Sequence, residues 1–179
     1  MTFVLAFGIF TNGTNAAFAA RNNLLIKESI DVRATQKVAI LVSKGAKSKA
    51  ILKKYENAHS LTDRQLVKLL KAVGFEGSGL RMAWAVAKAE SNGRPFAFNG
   101  NVKTGDSSYG IFQINMIGSL GPDRRNRYNL GINAELFSPV KNAQIVYRMT
   151  KKGNDWSAWS SYKKGATHKW LNKFPKKYT

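Results

Sequence analysis

The chain has 179 residues, and its 29 Lys plus Arg against 10 Asp plus Glu give a formal net charge of +19 at pH 7. This length suits one well-packed domain with an appendage and excludes two large domains. Because the chain contains no cysteine, a disulfide framework and a thiolate metal site are excluded. The two histidines, His59 and His168, lie far apart without a second ligand at metal spacing. We therefore predict no metal and no cofactor.

The excess of positive charge predicts an affinity for polyanions through a long-range electrostatic field. Anionic glycan polymers, acidic membrane surfaces and nucleic acids all fit this charge, which does not choose between them. The aromatic residues form no recognisable base-stacking module, so we predict no specific nucleic-acid partner. An excess of lysine that only keeps the protein soluble is the remaining interpretation.

Residues 1–20 have features of a secretory signal. The apolar run Phe3–Phe10 is too short to span a bilayer as a helix, and Ala17-Phe18-Ala19 has the A-x-A form of a cleavage site. A positively charged region before Phe3 is absent. Two interpretations stay open, a cleaved export signal and a retained apolar N-terminal segment.

Residues 21–58 predict a basic helical arm, which we expect to be interrupted at residues 43–45. The apolar residues with helical spacing are Val38, Leu41, Val42, Ile51, Leu52 and Tyr55. Such helices either lie on a membrane surface or a partner, or pack on the main domain with their lysines in solvent. The sequence favours neither alternative.

Residues 59–179 predict the main domain, which starts with two helices. Thr62 and Gln65 have the spacing of a capping box, and Gly74 is placed to end the first helix. The second helix, Leu80–Ala89, is apolar almost all round, which indicates burial, and Glu90 ends it.

The pattern then changes to one typical of strands. We predict a two-residue hairpin turn at Asn99-Gly100, a further turn at 103–106 and a strand over 109–116. A loop over 118–127, a helix over 138–151 that begins at Ser138-Pro139, and an aromatic-rich tail follow. The predicted fold class is α+β and mainly α, with a small antiparallel sheet beside a cleft.

Two segments carry a family resemblance: A-K-A-E-S-N-G-R-P at 87–95 and G-D-S-S-Y-G-I-F-Q-I-N-M-I-G-S-L-G-P at 105–122. They resemble the lysozyme-like superfamily, and in particular the lytic transglycosylase domains of phage tail-associated and actinobacterial exported cell-wall enzymes. The resemblance covers residues 60–162 and implies a lysozyme-like fold. It also implies cleavage of the β-1,4 bond between N-acetylmuramic acid and N-acetylglucosamine in peptidoglycan. The implied location is extracytoplasmic, secreted or associated with a virion tail, where phage tail proteins would be further partners.

The resemblance implies that Glu90 is the catalytic acid. A carboxyl group that protonates a glycosidic oxygen near neutral pH needs a raised pKa, and burial beside the apolar second helix would raise it. Asp106 is the only acidic residue between Glu90 and the predicted strand, and it is either a second carboxylate or a turn former. Animal lysozymes have an aspartate immediately before the Tyr-Gly pair, where this chain has Ser108. This difference favours a lytic transglycosylase with one glutamate over a retaining hydrolase with two carboxylates.

The same segments predict the residues that bind substrate. Gln113 and Asn115 lie two residues apart, so a strand would point both toward the cleft beside Ser108 and Tyr109. In the tail, Trp159 and Tyr162 are candidates for contacts with sugar rings. Core packing is the alternative for Trp159 and the prediction for Trp156. A non-catalytic virion tail or envelope-binding protein that retains a lysozyme fold is the alternative function, because a fold alone does not confer activity.

Overall fold

The computed structural model describes residues 12–178, without the side chains of 12–20, 23, 28, 30, 31, 102 and 178. The chain forms two compact units, which divide between Gly45 and Ala46. The predicted signal-like run Phe3–Phe10 lies outside the described residues. The helices are α1 (Asn12–Tyr55), α2 (Asp63–Val73), α3 (Gly77–Ser91), α4 (Leu120–Tyr128), α5 (Pro139–Met149), α6 (Ser160–Lys163) and α7 (His168–Leu171). The strands are β1 (Phe98–Asn99), β2 (Ser108–Tyr109) and β3 (Ile114–Asn115), and 3-10 turns span Val102–Thr104, Asn133–Phe137 and Lys176–Tyr178.

Helix α1 continues through residues 43–45, so the predicted interruption there is wrong. A single glycine costs a helix only about 1 kcal/mol relative to alanine, and the lysines and alanines around Gly45 are good helix formers. Between residues 21 and 45, eight apolar side chains are 54% to 67% exposed: Leu24, Leu25, Ile26, Val32, Val38, Ile40, Leu41 and Val42. No helix within the described residues is long and apolar enough to cross a membrane.

The second unit contains the hydrophobic core, around α2, α3 and α5. Helix α2 begins at the predicted capping box, in which Thr62 Oγ1 accepts from Gln65 N–H and Gln65 Oε1 accepts from Thr62 N–H, and it ends at Gly74. Helix α3 is buried over most of its length, and Trp84 at its middle is fully buried. It extends one residue past Glu90 to Ser91, and its C-cap is Asn92, whose backbone is left-handed with φ 56°. Both predicted helices are therefore confirmed.

The sheet is antiparallel and has the order β1-β2-β3. The predicted continuous strand over 109–116 is wrong, because a turn separates β2 from β3. Gly110 and Gln113 have positive φ angles of 75° and 48° in this turn. Buried Asn142 stabilises it, since its Oδ1 accepts from Phe112 N–H and its Nδ2 donates to the carbonyl of Tyr109. A side chain at residue 110 would place a Cβ only 2.4 Å from Asn142 Nδ2, so the turn requires glycine there.

The predicted two-residue hairpin at Asn99-Gly100 is also wrong. Asn99 belongs to β1, and residues 100–107 form the connection to β2. Asn101 organises this longer loop, because its carbonyl accepts from the N–H groups of Thr104 and Asp106 and its side chain accepts from Lys103 N–H. These local hydrogen bonds compete successfully with the tight turn.

The predicted loop over 118–127 is wrong as well. Most of it belongs to α4, which tolerates Pro122 because this residue lies in the first turn, where no intrahelical N–H bond is lost. The predicted helix near the C-terminus is confirmed as α5, with Ser138 as its N-cap and Pro139 at its first position. The α+β, mainly helical fold class is confirmed.

Candidate active site

A cleft of about 330 Å³ opens between the end of α3, the sheet and the segment before α6. Its lining residues are Glu90, Asn99, Asp106, Ser108, Gln113, Ile114, Asn115, Arg124, Met149, Ala158, Trp159, Ser160 and Lys163. Six of the eight site residues predicted from the sequence are among them. Tyr109 and Tyr162 are the two that do not line this cavity.

Glu90 lies in the last turn of α3 and is half-buried. Ser161 Oγ donates a hydrogen bond of 2.5 Å to Glu90 Oε1. Burial raises the pKa of the Glu90 carboxyl, the hydrogen bond from Ser161 lowers it, and the negative charge of Asp106 raises it, with a net increase above 4.5. A carboxyl group with a raised pKa keeps its proton at higher pH and can donate it to a bound group.

The strand register brings three polar residues into one row across the sheet. Asn99 pairs with Ser108, and Ser108 pairs with Asn115. All three line the cleft. Since successive strand residues point to opposite faces, the neighbouring Tyr109 faces away. Its ring packs 4.9 Å from that of Phe98 (between ring centroids), behind the sheet.

Asp106 is partly buried in the cleft, directly after Gly105, whose φ is 70°. Its carboxylate accepts a 2.6 Å hydrogen bond from Ser108 Oγ, and its backbone N–H donates to the carbonyl of Asn101. Asp106 therefore both closes the turn and presents its carboxylate to the cleft. This geometry is compatible with either of the two roles predicted from the sequence, so the role of Asp106 stays a prediction.

Gln113 and Asn115 line the cleft, but their amides bind the backbone. Gln113 Nε2 donates to the carbonyls of Ala97 (3.0 Å) and Gly110 (2.9 Å). Asn115 Nδ2 donates to the carbonyl of Gly105, and its Oδ1 accepts from the N–H groups of Ser107 and Ile117. These bonds fix the wall of the cleft that the sheet forms.

The tail aromatics divide between the core and the surface. Trp159 is 6% exposed, and its Nε1 donates a 2.9 Å hydrogen bond to the carbonyl of Phe112, so it packs in the core while one edge lines the cleft. Trp156 is 4% exposed, which confirms its predicted core position. Tyr162 is 40% exposed and lies outside the cavity.

Sequence reasoning missed Ser161 and Arg124. Ser161 precedes the predicted Tyr162, but nothing in the tail pattern shows which residue of the short helix α6 points back to Glu90. Arg124 lies in α4, where we predicted a loop, and its guanidinium donates to the carbonyl of Asn115. The described residues contain no group of three His, Asp or Glu side chains that could hold a metal ion.

A mainly helical domain with a three-stranded antiparallel sheet beside a carboxyl-bearing cleft defines the lysozyme-like class of α+β proteins. The family described as "Lysozyme like domain" matches residues 67–161, more than half of the chain, and the chain belongs to this family. The chain is 32% identical to the milk isozyme of lysozyme C from the dog, over 62% of this chain and 91% of that protein. It is 30% identical to lysozyme 1 of the housefly, over 58% of this chain and 77% of that protein. No solved structure matches the chain. Family and relatives together support a glycosidase-type enzyme.

Proposed function

We propose that the protein cleaves the glycan strands of peptidoglycan at the β-1,4 bond between N-acetylmuramic acid and N-acetylglucosamine, with Glu90 as the catalytic acid and base. The observation that carries this proposal is a half-buried glutamate with a raised pKa in a polar cleft. The similarity to two lysozymes supports peptidoglycan as the substrate. A glycan strand in the cleft would contact Glu90 on one side and the row Asn99, Ser108 and Asn115 on the other.

The proposed reaction uses the Glu90 carboxyl group twice, first as an acid and then as a base. The protonated carboxyl gives its proton to the glycosidic oxygen as the bond to the anomeric carbon of muramic acid breaks, and the leaving sugar departs with a new hydroxyl group. The resulting Glu90 carboxylate then accepts a proton from the hydroxyl that attacks the anomeric carbon. At the end Glu90 is protonated again, so one carboxyl group can perform both proton transfers.

We propose that the attacking group is mainly the 6-hydroxyl of the same muramic acid, which makes the protein a lytic transglycosylase that leaves 1,6-anhydro ends. Ser108 occupies the place of the aspartate found in animal lysozymes, which argues against a covalent glycosyl-enzyme. Ser108 instead holds Asp106 by a 2.6 Å hydrogen bond. The competing candidate is hydrolysis by Glu90 and Asp106 together. The position of Asp106 in the cleft and its effect on the pKa of Glu90 support this candidate.

Peptidoglycan lies outside the cytoplasmic membrane, so we propose an extracytoplasmic location, either secreted or associated with a virion tail. The net charge of +19 supports additional attraction to anionic wall polymers or to an acidic membrane surface. Phage tail proteins would be partners only if the protein is associated with a virion tail. The alternative is a non-catalytic envelope-binding protein with the same fold, which would bind walls without releasing fragments.

The proposal is tested by the rate at which Glu90→Gln protein clears a suspension of isolated cell walls. Glutamine keeps the shape of the side chain but supplies no acidic proton, so we expect a loss of at least about 100-fold. Glu56→Gln makes the same charge change at an exposed residue outside the cleft and should clear walls as wild type does. Equal rates for Glu90→Gln and wild type would refute the role of Glu90. Wild-type protein that binds walls in a pull-down without releasing soluble muropeptides would support the non-catalytic alternative.

A further inference from the structure

A second cavity of about 450 Å³ adjoins the cleft, between α4 and the end of α5. Its lining residues are Leu120, Asp123, Arg124, Arg127, Tyr128, Arg148, Met149 and Lys151. Arg124 and Met149 line the cleft as well, so the two cavities share a wall. A group attached to a ligand in the cleft would therefore lie near the second cavity, which we call the basic side cavity.

The charge of the basic side cavity is strongly one-sided. Four cationic side chains line it, against the single carboxylate of Asp123. One of the four, Lys151, already has a partner, because its Nζ lies 3.1 Å from Asp155 Oδ2. The remaining positive charge of the lining belongs to three arginines, Arg124, Arg127 and Arg148.

The three arginines differ in what they contact. The Arg124 guanidinium donates to the carbonyl of Asn115 and thereby connects the side cavity to the sheet of the cleft. Arg148 lies over the ring of Tyr128, 5.0 Å from its centroid, and donates a long bond of 3.5 Å to the carbonyl of Arg127. A guanidinium held over an aromatic ring can still bind an anion through its N–H groups.

Two of the arginines, Arg124 and Arg127, are close enough to repel each other. Burial lowers the pKa of the Arg124 guanidinium, Tyr128 raises it, and the charge of Arg127 lowers it further. An arginine remains charged near neutral pH in spite of such a decrease. An anion bound between these side chains would relieve their repulsion, and carboxylates and phosphates are the groups that arginine binds in a bidentate manner.

We propose that the basic side cavity binds the carboxylates of the peptide stem carried by the muramic acid in the cleft. The inference rests on the proposed function, since it takes peptidoglycan as the polymer in the cleft. The stem is attached to the sugar itself, so its carboxylates would lie next to the cavity when the glycan occupies the cleft. An anionic wall polymer offers phosphates of similar chemistry, but it is not attached next to the bond that is cleaved. The protein should therefore prefer glycan strands with stems over bare strands.

The test measures binding of two muramyl tetrasaccharides to Glu90→Gln protein, which is expected not to cleave them. One carries peptide stems. The other, the stripped ligand, carries a methylamide on each lactyl group in place of a stem, since removal of the stem by hydrolysis would leave a new carboxylate on the sugar. We expect the ligand with stems to bind about tenfold more tightly, the effect of one additional charge-assisted hydrogen bond. Adding Arg127→Gln and Arg148→Gln should abolish this preference and leave the affinity for the stripped ligand unchanged.

The matched control adds Arg64→Gln and Lys68→Gln instead, which remove the same charge from exposed residues of α2 outside both cavities. This control should keep the preference for stems. Equal binding of the two ligands would overturn the inference. An equal loss of preference in the control would overturn it too, because the preference would then come from the overall positive charge of the protein.

Binding of glycerol-phosphate oligomers is a third measurement. If they bind through Arg127 and Arg148 while stems give no preference, the source of the anion is a wall polymer and the inference is wrong.

The binding test and the wall assay fail independently. Wall cleavage by wild type without any preference for stems would leave the proposed function intact and overturn the side-cavity inference. A stem preference that depends on Arg127 and Arg148, without release of fragments from walls, would support the inference and contradict the proposed enzyme.

Discussion

Ser161 Oγ donates a hydrogen bond of 2.5 Å to Glu90 Oε1, although 71 residues separate the two in sequence. This bond favours the ionised carboxylate, while burial in the cleft favours the protonated form. Burial has the larger effect, so the Glu90 pKa lies above 4.5. Ser161, in helix α6, thus moderates the acidity of the proposed catalytic group.

Replacing Ser161 with alanine should raise the Glu90 pKa further, because the bond that stabilises the carboxylate is lost. The proposed acid would then keep its proton to higher pH, and the basic limb of the pH profile of kcat/KM should move upward. Ser119→Ala is the control, since Ser119 is exposed, lies outside the cleft and makes no side-chain capping bond. A basic limb that stays in place or moves to lower pH would contradict this role for Ser161.

The raised pKa of Glu90 also predicts a trade-off between activity and stability. A carboxyl whose pKa is higher in the folded protein contributes stability that is complete below the unfolded value of 4.5 and is lost as pH rises through the folded value. Glutamine does not titrate, so Glu90→Gln should unfold at a higher temperature than wild type at about pH 8, with little difference at about pH 4. Thermal unfolding of both proteins at the two pH values measures this. A variant that is less stable than wild type at the higher pH would contradict the prediction.

Asn142 should be among the most sensitive core positions. It is fully buried and bonds the backbone of Phe112, Tyr109 and Leu136, which holds the turn between β2 and β3. Each buried backbone group left without a partner costs about 1–3 kcal/mol, so Asn142→Ala should lower the free energy of unfolding by roughly 3 kcal/mol or more. Gln144→Ala, at an exposed residue of the same helix, should change it by less than about 0.5 kcal/mol. Similar urea midpoints for both variants would show that the turn does not depend on Asn142.

The same turn shows where prediction from the sequence failed. The strand-like pattern after the turn at 103–106 predicts one strand over 109–116, because a local pattern does not reveal that Asn142, 30 residues after Phe112, binds the Phe112 backbone. The helices were predicted more accurately, since capping at Thr62 and Ser138 and the apolar run around Trp84 are local signals. In α4 the glycine and proline of the first turn resembled a loop, although both are tolerated at the start of a helix.

In the candidate site, too, some residues could be predicted from local sequence signals and others could not. Glu90, Asp106 and Ser108 could be predicted because short segments with a family resemblance contain them. Ser161 and Arg124 could not, since their contacts with Glu90 and Asn115 come from helices packed against the cleft rather than from the resembling segments. Tyr109, which we predict beside Ser108, does not line the cavity, because adjacent strand residues face opposite sides of a sheet.

Asp106 distinguishes the two proposed reactions. If Glu90 acts alone, Asp106→Asn should retain activity within about tenfold of wild type, since no step requires a second carboxylate. Asparagine still accepts the hydrogen bond from Ser108, but loss of the negative charge should lower the Glu90 pKa and move the basic limb of the pH profile downward. An Asp106→Asn protein as inactive as Glu90→Gln would instead indicate a hydrolase that uses a pair of carboxylates.

Mass analysis of the soluble muropeptides released from purified peptidoglycan tests the central claim most directly. Wild-type protein should release disaccharide peptides that end in 1,6-anhydromuramic acid and are lighter by one water than hydrolysis products, and Glu90→Gln should release almost none. Products with reducing muramic ends would contradict transglycosylation while leaving glycan cleavage intact. Equal release by wild type and Glu90→Gln, or no release by either, would contradict the proposal that Glu90 cleaves the glycan strand.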